Sequence, residues 1–470
     1  MSEAVRDRAS AGYVLKQWDP ENDIFWETTG ARVAQRNLWI SIVALVVAFC
    51  VWVLWSVVAV NLDKVGFKFS RNQLFWLTAL PALSGATLRV FYSFMVPIFG
   101  GRKWTVISTL SLLLPALGMG FALRDNTTSY GTLLILSLLC GLGGGNFSSS
   151  MANISFFFPK SRKGTATGLN AGIGNLGVSL AQFIVPLVIS SAMLGGVTGD
   201  GISITVNGAA QTLWLQNASF VWVPFILMAA VLAWFGMNDI ADARASFRDQ
   251  AVIFRRKHNW LMCWLYVGTF GSFIGFSAGL ALLTKSQFPG VDPTKYAFLG
   301  PLVGALTRPL GGWISDRLKA GAAVTLYTFL LMSVAIFGVL FTLPSADGGG
   351  SFPAFLGMFM LLFALSGIGN GSTFRMIPMI FLTASVQAAG NSPEARRDAI
   401  VQGNKEASAV LGFSGAVGAY GGFFIPKMFG SSLELTGSVN MAFYIFIGFY
   451  LSCMFVTWWF YARKGARTPC

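Results

Sequence analysis

Two arginines lie deep inside long apolar stretches, and each ends the same short sequence frame. Arg89 closes the segment GATLR, and Arg308 closes the segment GALTR. An arginine inside the hydrocarbon core costs roughly 2.5–3.5 kcal/mol on insertion scales, so by default it marks the path of an ion or a substrate. A guanidinium stays charged and donates two parallel hydrogen bonds to a planar oxyanion. The pair therefore predicts an anion site to which each half of a duplicated protein contributes one arginine.

The depth of the two arginines can be estimated from the sequence. Arg89 lies eight residues before Pro97 and Arg308 lies eight before Asp316, which is about 12 Å along a straight helix. At an assumed separation of about 7 Å and an effective dielectric near 20, their repulsion is about 2–3 kcal/mol. A bound monoanion relieves this repulsion, which favours exchange of one anion for another. The alternative is that each side chain snorkels to the cytoplasmic interface or pairs with a carboxylate.

The composition defines the class of protein. Of the 470 residues, 54% are hydrophobic and only 11% are charged, whereas soluble domains carry about a quarter charged residues. The chain is therefore predicted to be an integral membrane protein, with the lipid bilayer as its surroundings. The net charge of +14 does not indicate nucleic-acid binding, because the basic residues form short clusters between apolar stretches.

Twelve stretches reach the length of about 20 apolar residues that a helix needs to cross a bilayer. All are predicted as helices, because an open sheet leaves backbone groups unpaired in lipid and barrel strands are shorter and alternating. The predicted spans are 38–60, 73–97, 105–124, 131–158, 165–190, 217–238, 259–285, 294–315, 323–343, 352–383, 406–430 and 439–462. The predicted fold class is an all-α membrane protein.

The connections between these spans alternate strongly in their basic content. One set, which includes both termini, holds 23 Lys and Arg, and the other set holds only three. The positive-inside rule places the first set and both termini in the cytoplasm. The first 37 residues lack the apolar core and cleavage site of a signal peptide. The predicted organisation is an N-terminal segment 1–37, six-helix halves 38–238 and 259–462, a basic linker 239–258 and a tail 463–470.

Internal repetition supports the division into two halves. Besides the arginine frames, the fourth span contains GGGNFS at 143–148 and the tenth contains GIGNGS at 367–372. Two patterns repeated in the same order indicate duplication. Two parallel six-helix halves with a midplane site are the architecture of the major facilitator superfamily.

Glycine is concentrated in the fifth and eleventh spans. Small residues at such spacings let helices pack closely and slide past one another, and close packing alone is the simpler interpretation. The segment GIGNLG at 172–177 also matches a dinucleotide-binding pattern, but it lacks the preceding strand and the acidic residue that such a site needs. The glycines singled out are Gly164, Gly168, Gly172, Gly174, Gly177, Gly418, Gly421 and Gly422.

Several longer stretches resemble a known family. They are RNLWIS at 36–41, YSFMVPIFGGR at 92–102, MANISFFFPK at 151–160, TFGSFIGFSAG at 269–279 and GGFFIPK at 421–427. With both arginines and both glycine-rich spans, they are similar to the bacterial nitrate/nitrite porters of the major facilitator superfamily, and most similar to the antiporter branch. The resemblance covers nearly the whole chain.

The resemblance implies a function and a set of site residues. The implied activity is nitrate uptake with nitrite export across the bacterial inner membrane, in nitrate assimilation and anaerobic nitrate respiration, by a functional monomer without a cofactor or metal. Arg89 and Arg308 would bind the anion, Phe147 and Phe270 would sandwich its plane, and Asn175 and Tyr266 would add polar contacts. The remaining implied substrate-site positions are Ala171, Gly412, Ser414 and Gly415.

Three departures from the family pattern bear on the site. Ala171 stands where glycine is usual, Gly415 stands where serine is usual, and Arg375 stands where a neutral amide is usual. Arg375 is predicted to be either a relay cation or a residue that reaches the cytoplasmic interface. The second half keeps the loop sequence GWISDR with Asp316, whereas the first half has Pro97 in the place of the acid. Conformational latching by this loop is therefore expected to be asymmetric.

Other functions remain as alternatives. Within carriers, these are a proton-coupled nitrate symporter, with Asp316, Glu406 or the substrate carrying the proton, and an exchanger of oxalate or organic phosphate. The predicted spans hold no acid–base pair, nucleophile or metal cluster that a membrane enzyme needs. A channel would share the arginines, but not the two halves with glycine-rich interfaces.

Overall fold

The computed structural model describes residues 13–192, 197–206, 209–241, 251–344, 349–389, 392–466 and 468–470. The described chain contains twelve long helices, eleven of which are long and apolar enough to cross a membrane. The other one is α8, which carries Arg308. The predicted all-α membrane fold is confirmed. The helices are α1 Asp23–Asn61, α2 Arg71–Tyr92, α3 Gly101–Ala122, α4 Tyr130–Phe157, α5 Lys160–Ile189, α6 Asn217–Gly236, α7 Lys257–Gln287, α8 Leu299–Leu318, α9 Gly321–Thr342, α10 Phe352–Ala388, α11 Pro393–Thr436 and α12 Asn440–Ala462.

The first helix begins well before its predicted start at residue 38. Asn22 caps it, because its side-chain oxygen accepts a hydrogen bond from the Phe25 amide at 3.1 Å. The helix then continues through a π-helical turn at Trp26–Gly30. Apolar content predicted only the membrane-crossing part, since the first turns carry polar residues.

The second helix ends earlier than predicted, at Tyr92, and a short helix, Met95–Phe99, follows it. Pro97 explains the break, because proline has no amide hydrogen to donate to the carbonyl four residues earlier and its ring collides with that turn. Arg89 therefore lies in the last turn of α2. The prediction of one straight helix through residue 97 is wrong.

The described chain forms two compact units. One comprises the described residues within Met1–Phe69 and Leu80–Ala245, and the other those within Ser70–Ala79 and Ser246–Cys470. In the first unit α1 packs against α4, α5 and α6, and in the second α10 packs against α8, α9 and α11. The first turns of α2 are grouped with the second unit, where Phe75 packs against Phe429 and Trp76 against Phe423.

Two small β-structures accompany the helices. In the first unit, β1 (Val14–Leu15) pairs in parallel with β4 (Asp239–Ile240), and β2 (Ile202–Val206) pairs antiparallel with β3 (Ala209–Leu213). The sequence interpretation did not include these strands. Residues 1–12 of the predicted N-terminal segment, and Arg244 and Arg248 of the predicted linker, lie outside the described residues.

The N-terminal segment is packed onto the first unit. The Trp18 indole donates a hydrogen bond to the Phe156 carbonyl at 3.2 Å, and a Glu21 carboxylate oxygen accepts one from the Lys160 amide at 2.9 Å. These contacts join the segment to the end of α4 and the start of α5. From Tyr13 onwards, the segment predicted as a polar N-terminal extension therefore packs against the helices of the first unit.

Candidate functional site

Arg89 is completely buried in the first unit, with 0% exposure. Its Nε donates a hydrogen bond to the Gly144 carbonyl of α4 at 3.0 Å. Its Cζ lies 4.5 Å from the centroid of the Phe147 ring and 5.2 Å from that of Trp52. Both distances lie within the range of cation–π attraction. The structure thus brings together Arg89 and Phe147, two of the predicted site residues.

The second unit places Arg308 beside Tyr266, which is also a predicted site residue. Arg308 is 7% exposed, and its Nη2 donates a long hydrogen bond of 3.5 Å to the Tyr266 hydroxyl. Its Cζ lies 5.4 Å from the centroid of Phe374. Its Nη1 is buried and has no hydrogen-bond partner among the residues that the structure describes. Arg308 thus keeps a buried donor in position for an acceptor.

Phe270 lies next to Tyr266, with ring centroids 5.6 Å apart. Tyr266 directly precedes the π-helical turn Val267–Gly271, which interrupts α7 at this point, and Phe270 lies within that turn. Single π-turns are frequent at functional sites, because the extra residue re-aims the side chains of one turn. No feature of the sequence predicted this turn. Gly418 of α11 packs on the same pair, since a Cβ there would lie 2.7 Å from Tyr266 Cδ1 and 3.3 Å from Phe270 Cδ1.

The remaining predicted site residues lie in α5 and α11. Asn175 and Ala171 are buried in the first unit, and Asn175 Oδ1 has no hydrogen-bond partner within the described ranges. Ser414 and Gly415 are buried in the second unit, and Gly412 is exposed there. The structure therefore brings Tyr266 into contact with both Arg308 and Phe270, and leaves Gly412 on another face of α11 from its buried neighbours.

The glycines of the two rich spans divide into two groups. A Cβ on Gly177 would lie 2.4 Å from the Val46 carbonyl oxygen, and one on Gly421 would lie 2.3 Å from Gly271 Cα. Gly174 and Gly418 are similarly crowded. At four other glycines, no described atom lies within 4 Å of such a Cβ. Close packing therefore does not explain why glycine stands at these positions. These are Gly164, Gly168, Gly172 and Gly412.

A matched pair of substitutions tests this division. Gly177→Ala is expected to lower the free energy of unfolding by about 1–3 kcal/mol, because the methyl group overpacks against backbone of α1. Gly168→Ala, on the same helix, is expected to leave stability unchanged or slightly raised, since alanine is the better helix former. Thermal unfolding of the purified proteins in detergent measures both. Equal destabilisation by the two substitutions contradicts the division.

A buried ion pair in the first unit was missed by the sequence analysis. Asp239, which begins β4, accepts hydrogen bonds from the Arg102 amide at 2.8 Å and from Arg102 Nε at 3.4 Å. The Arg102 guanidinium also lies over the rings of Tyr13 and Trp234. The loop around Pro97 has no acid of its own at that position, and Asp239, which follows α6, supplies the carboxylate instead. The only signal in the sequence was an acid placed directly after an apolar span.

In the second unit, both acids considered as proton carriers are paired. Asp316 accepts a hydrogen bond from Arg375 Nε at 2.6 Å, so its partner is Arg375 on α10 and not the neighbouring Arg317. Glu406 is bound by Arg256 through two hydrogen bonds of 2.6 and 2.8 Å. Among the described residues, no group of three or more His, Cys, Asp or Glu side chains is arranged to hold a metal ion.

These features define a multi-span helical membrane protein of two compact units, each with a buried arginine beside aromatic rings. The sequence signature of the Major Facilitator Superfamily matches residues 40–426. The chain is 51% identical to the nitrate/nitrite transporter NarU of Salmonella typhimurium, over 97% of both chains. It is 43% identical to the probable nitrate/nitrite antiporter NarK2 of Thermus thermophilus, over 98% of this chain and 100% of that one. The chain belongs to the major facilitator superfamily, in its family of nitrate/nitrite porters.

A solved structure supports the fold independently of sequence. The D-xylose-proton symporter superposes with a TM-score of 0.64 at 13% identity, covering 91% of this chain and 98% of the symporter. At this identity the likeness concerns the fold alone. The predicted family is confirmed, and the family is one of transporters and not of enzymes.

Proposed function

We propose that this protein exchanges nitrate for nitrite by alternating access, taking nitrate up and releasing nitrite. The observation that carries the proposal is Arg89, a fully buried cation in contact with the face of Phe147, in a chain half identical to a nitrate/nitrite transporter. A small, weakly hydrated anion is bound best in a narrow, mostly apolar slot with a few fixed donors.

In this proposal each half contributes one guanidinium to the anion. Arg89 is held in place by the Gly144 carbonyl, which accepts a hydrogen bond from its Nε at 3.0 Å. Arg308 is less constrained, because its hydrogen bond to the Tyr266 hydroxyl is long, 3.5 Å, and its buried Nη1 has no partner in the part of the chain that the structure describes. Phe147 and Phe270 would cover the two faces of the planar anion, and Asn175 would donate a hydrogen bond from its side-chain amide.

The ion pairs in the second unit favour exchange over proton symport. A proton-driven carrier needs a carboxylate or histidine that can titrate from the cavity. Glu406 and Asp316, the two acids that could serve, each accept hydrogen bonds from an arginine, so both carboxylates are already engaged in ion pairs. Repulsion between the two arginines would also oppose closure around an empty site, so that an anion must return with each cycle.

Counterflow into proteoliposomes tests the proposed function. Vesicles loaded with nitrite, with no pH gradient, are expected to accumulate labelled nitrate at a saturable rate, and vesicles without an internal anion are expected to show little uptake. Uptake that required an imposed proton gradient and no internal anion would replace exchange by symport. Counterflow with oxalate or an organic phosphate, but not with nitrate, would show that nitrate is not the substrate.

We also propose the location and the orientation. The protein would lie in the bacterial inner membrane as a functional monomer, with both termini cytoplasmic, and would serve anaerobic nitrate respiration or nitrate assimilation. The excess of Lys and Arg in every second connection between the spans supports the orientation. Fluorescent protein fused after Cys470 is expected to fold and fluoresce, whereas alkaline phosphatase fused there is expected to be inactive. The reverse pattern would invert the topology.

A further inference from the structure

Trp52 of α1 is a large, buried side chain, 2% exposed, in contact with the Arg89 guanidinium. Its indole N–H donates a hydrogen bond to the Pro81 carbonyl of α2 at 2.8 Å. The buried donor is therefore satisfied and the ring is fixed in place. We infer that Trp52 is a positioning residue that holds the Arg89 guanidinium at the anion site. The inference rests on the proposed function.

Two glycines provide the space that the indole occupies. A Cβ on Gly85 would lie 2.8 Å from Trp52 Nε1, and one on Gly144 would lie 2.7 Å from Trp52 Cε2. Gly85 precedes Arg89 by four residues and so lies on the same face of α2. The indole thus fills the gap between α2 and α4 directly beside the guanidinium. This gives the glycine of the GATLR frame a physical role.

The second unit has a different arrangement around the same frame. Phe273 of α7 fills the space beside Gly304, since a Cβ there would lie 2.7 Å from Phe273 Cδ2. The ring facing the Arg308 guanidinium is instead Phe374 of α10. In the first unit Trp52 takes part in both tasks, so one side chain contributes to the spacing of the helices and to the position of the cation.

The indole also connects Arg89 to the ring predicted to cover the anion. Phe49 packs on Trp52 with centroids 5.0 Å apart and stacks on Phe147 at 6.1 Å. Phe147 in turn faces Arg89. Aromatic faces stabilise a cation without neutralising it, so the guanidinium keeps its charge for an anion. Movement of Trp52 would therefore displace both Arg89 and Phe147.

The test compares Trp52→Leu with Trp55→Leu, which also removes a fully buried indole from the same helix. Nitrate binding to the purified proteins is measured by titration, and stability by thermal unfolding. Trp52→Leu is expected to raise the nitrate Kd about tenfold, as loss of a desolvated cation–π contact implies. Trp55→Leu is expected to lower the unfolding temperature without changing Kd. Trp52→Phe, which keeps an aromatic face, is expected to recover most of the affinity.

A ligand-free measurement separates this inference from the proposed function. The unfolding temperature is compared for Trp52→Leu in the Arg89 protein and in an Arg89→Met background. A smaller loss in the Arg89→Met background is expected, because the contact with the charge is already gone. Additive losses, together with an unchanged nitrate Kd in Trp52→Leu and Trp52→Phe, overturn the positioning role. Absence of nitrate binding by the unsubstituted protein, with the thermal coupling present, would instead overturn the proposed substrate.

Discussion

Arg89→Lys is expected to reduce nitrate/nitrite counterflow at least about tenfold, although the charge is retained. The guanidinium of Arg89 already uses Nε on the Gly144 carbonyl and lies against Phe147. A lysine has one nitrogen, so it cannot bond that carbonyl and still present a planar pair of donors to an oxyanion. The initial rate of labelled nitrate uptake into nitrite-loaded vesicles measures the loss.

Arg308→Lys is also expected to reduce counterflow at least about tenfold, but less than Arg89→Lys. Arg308 has the longer hydrogen bond, 3.5 Å to the Tyr266 hydroxyl, and the more exposed side chain, so a lysine there sacrifices fewer fixed contacts. The control is Arg102→Lys, which changes a buried arginine paired with Asp239 outside the proposed site. It is expected to lower stability while preserving the apparent Km. Normal rates in both site variants contradict anion binding by the arginines.

The helices were predictable because their signal is strong and local. Long apolar stretches must be helical in lipid, and the twelve predicted spans correspond to α1 to α12. The boundaries were predicted less well where polar residues continue a helix, as before residue 38 in α1. The end of α2 at Tyr92 could have been predicted from Pro97, since the restriction that proline imposes is also local.

The site was only partly predictable, because its geometry depends on residues distant in sequence. The cost of a buried charge identified Arg89 and Arg308, whereas Phe147 and Phe270 rested on family resemblance among 42 phenylalanines. The contact of Trp52 with Arg89 joins α1 to α2 and has no signature in composition or spacing. The ion pair of Asp239 could not be predicted either, because its partner Arg102 lies 137 positions away in the sequence.

Arg256→Leu is expected to lower the free energy of unfolding by about 2–3 kcal/mol. The substitution leaves the Glu406 carboxylate, 4% exposed, without its bidentate partner and with only the 3.1 Å hydrogen bond from Gln402. Breaking a fully buried pair in this way costs about 3–5 kcal/mol. Because the Arg256 side chain is 50% exposed, solvent screening reduces the expected loss. Thermal unfolding in detergent measures it.

The partner substitution should be milder, and this asymmetry identifies the pair as structural. Glu406→Gln keeps the side-chain shape and returns Arg256 to solvent, so a loss of about 1 kcal/mol is expected. Replacing both residues by leucine should recover most of the stability, because a buried ion pair seldom exceeds a packed apolar pair. Nitrate/nitrite exchange by the Glu406→Gln protein is expected to be normal, since the pair joins the start of α7 to α11 and has no part in the proposed exchange. If the unsubstituted protein transports nitrate under a proton gradient and the Glu406→Gln protein does not, Glu406 takes part in proton coupling instead.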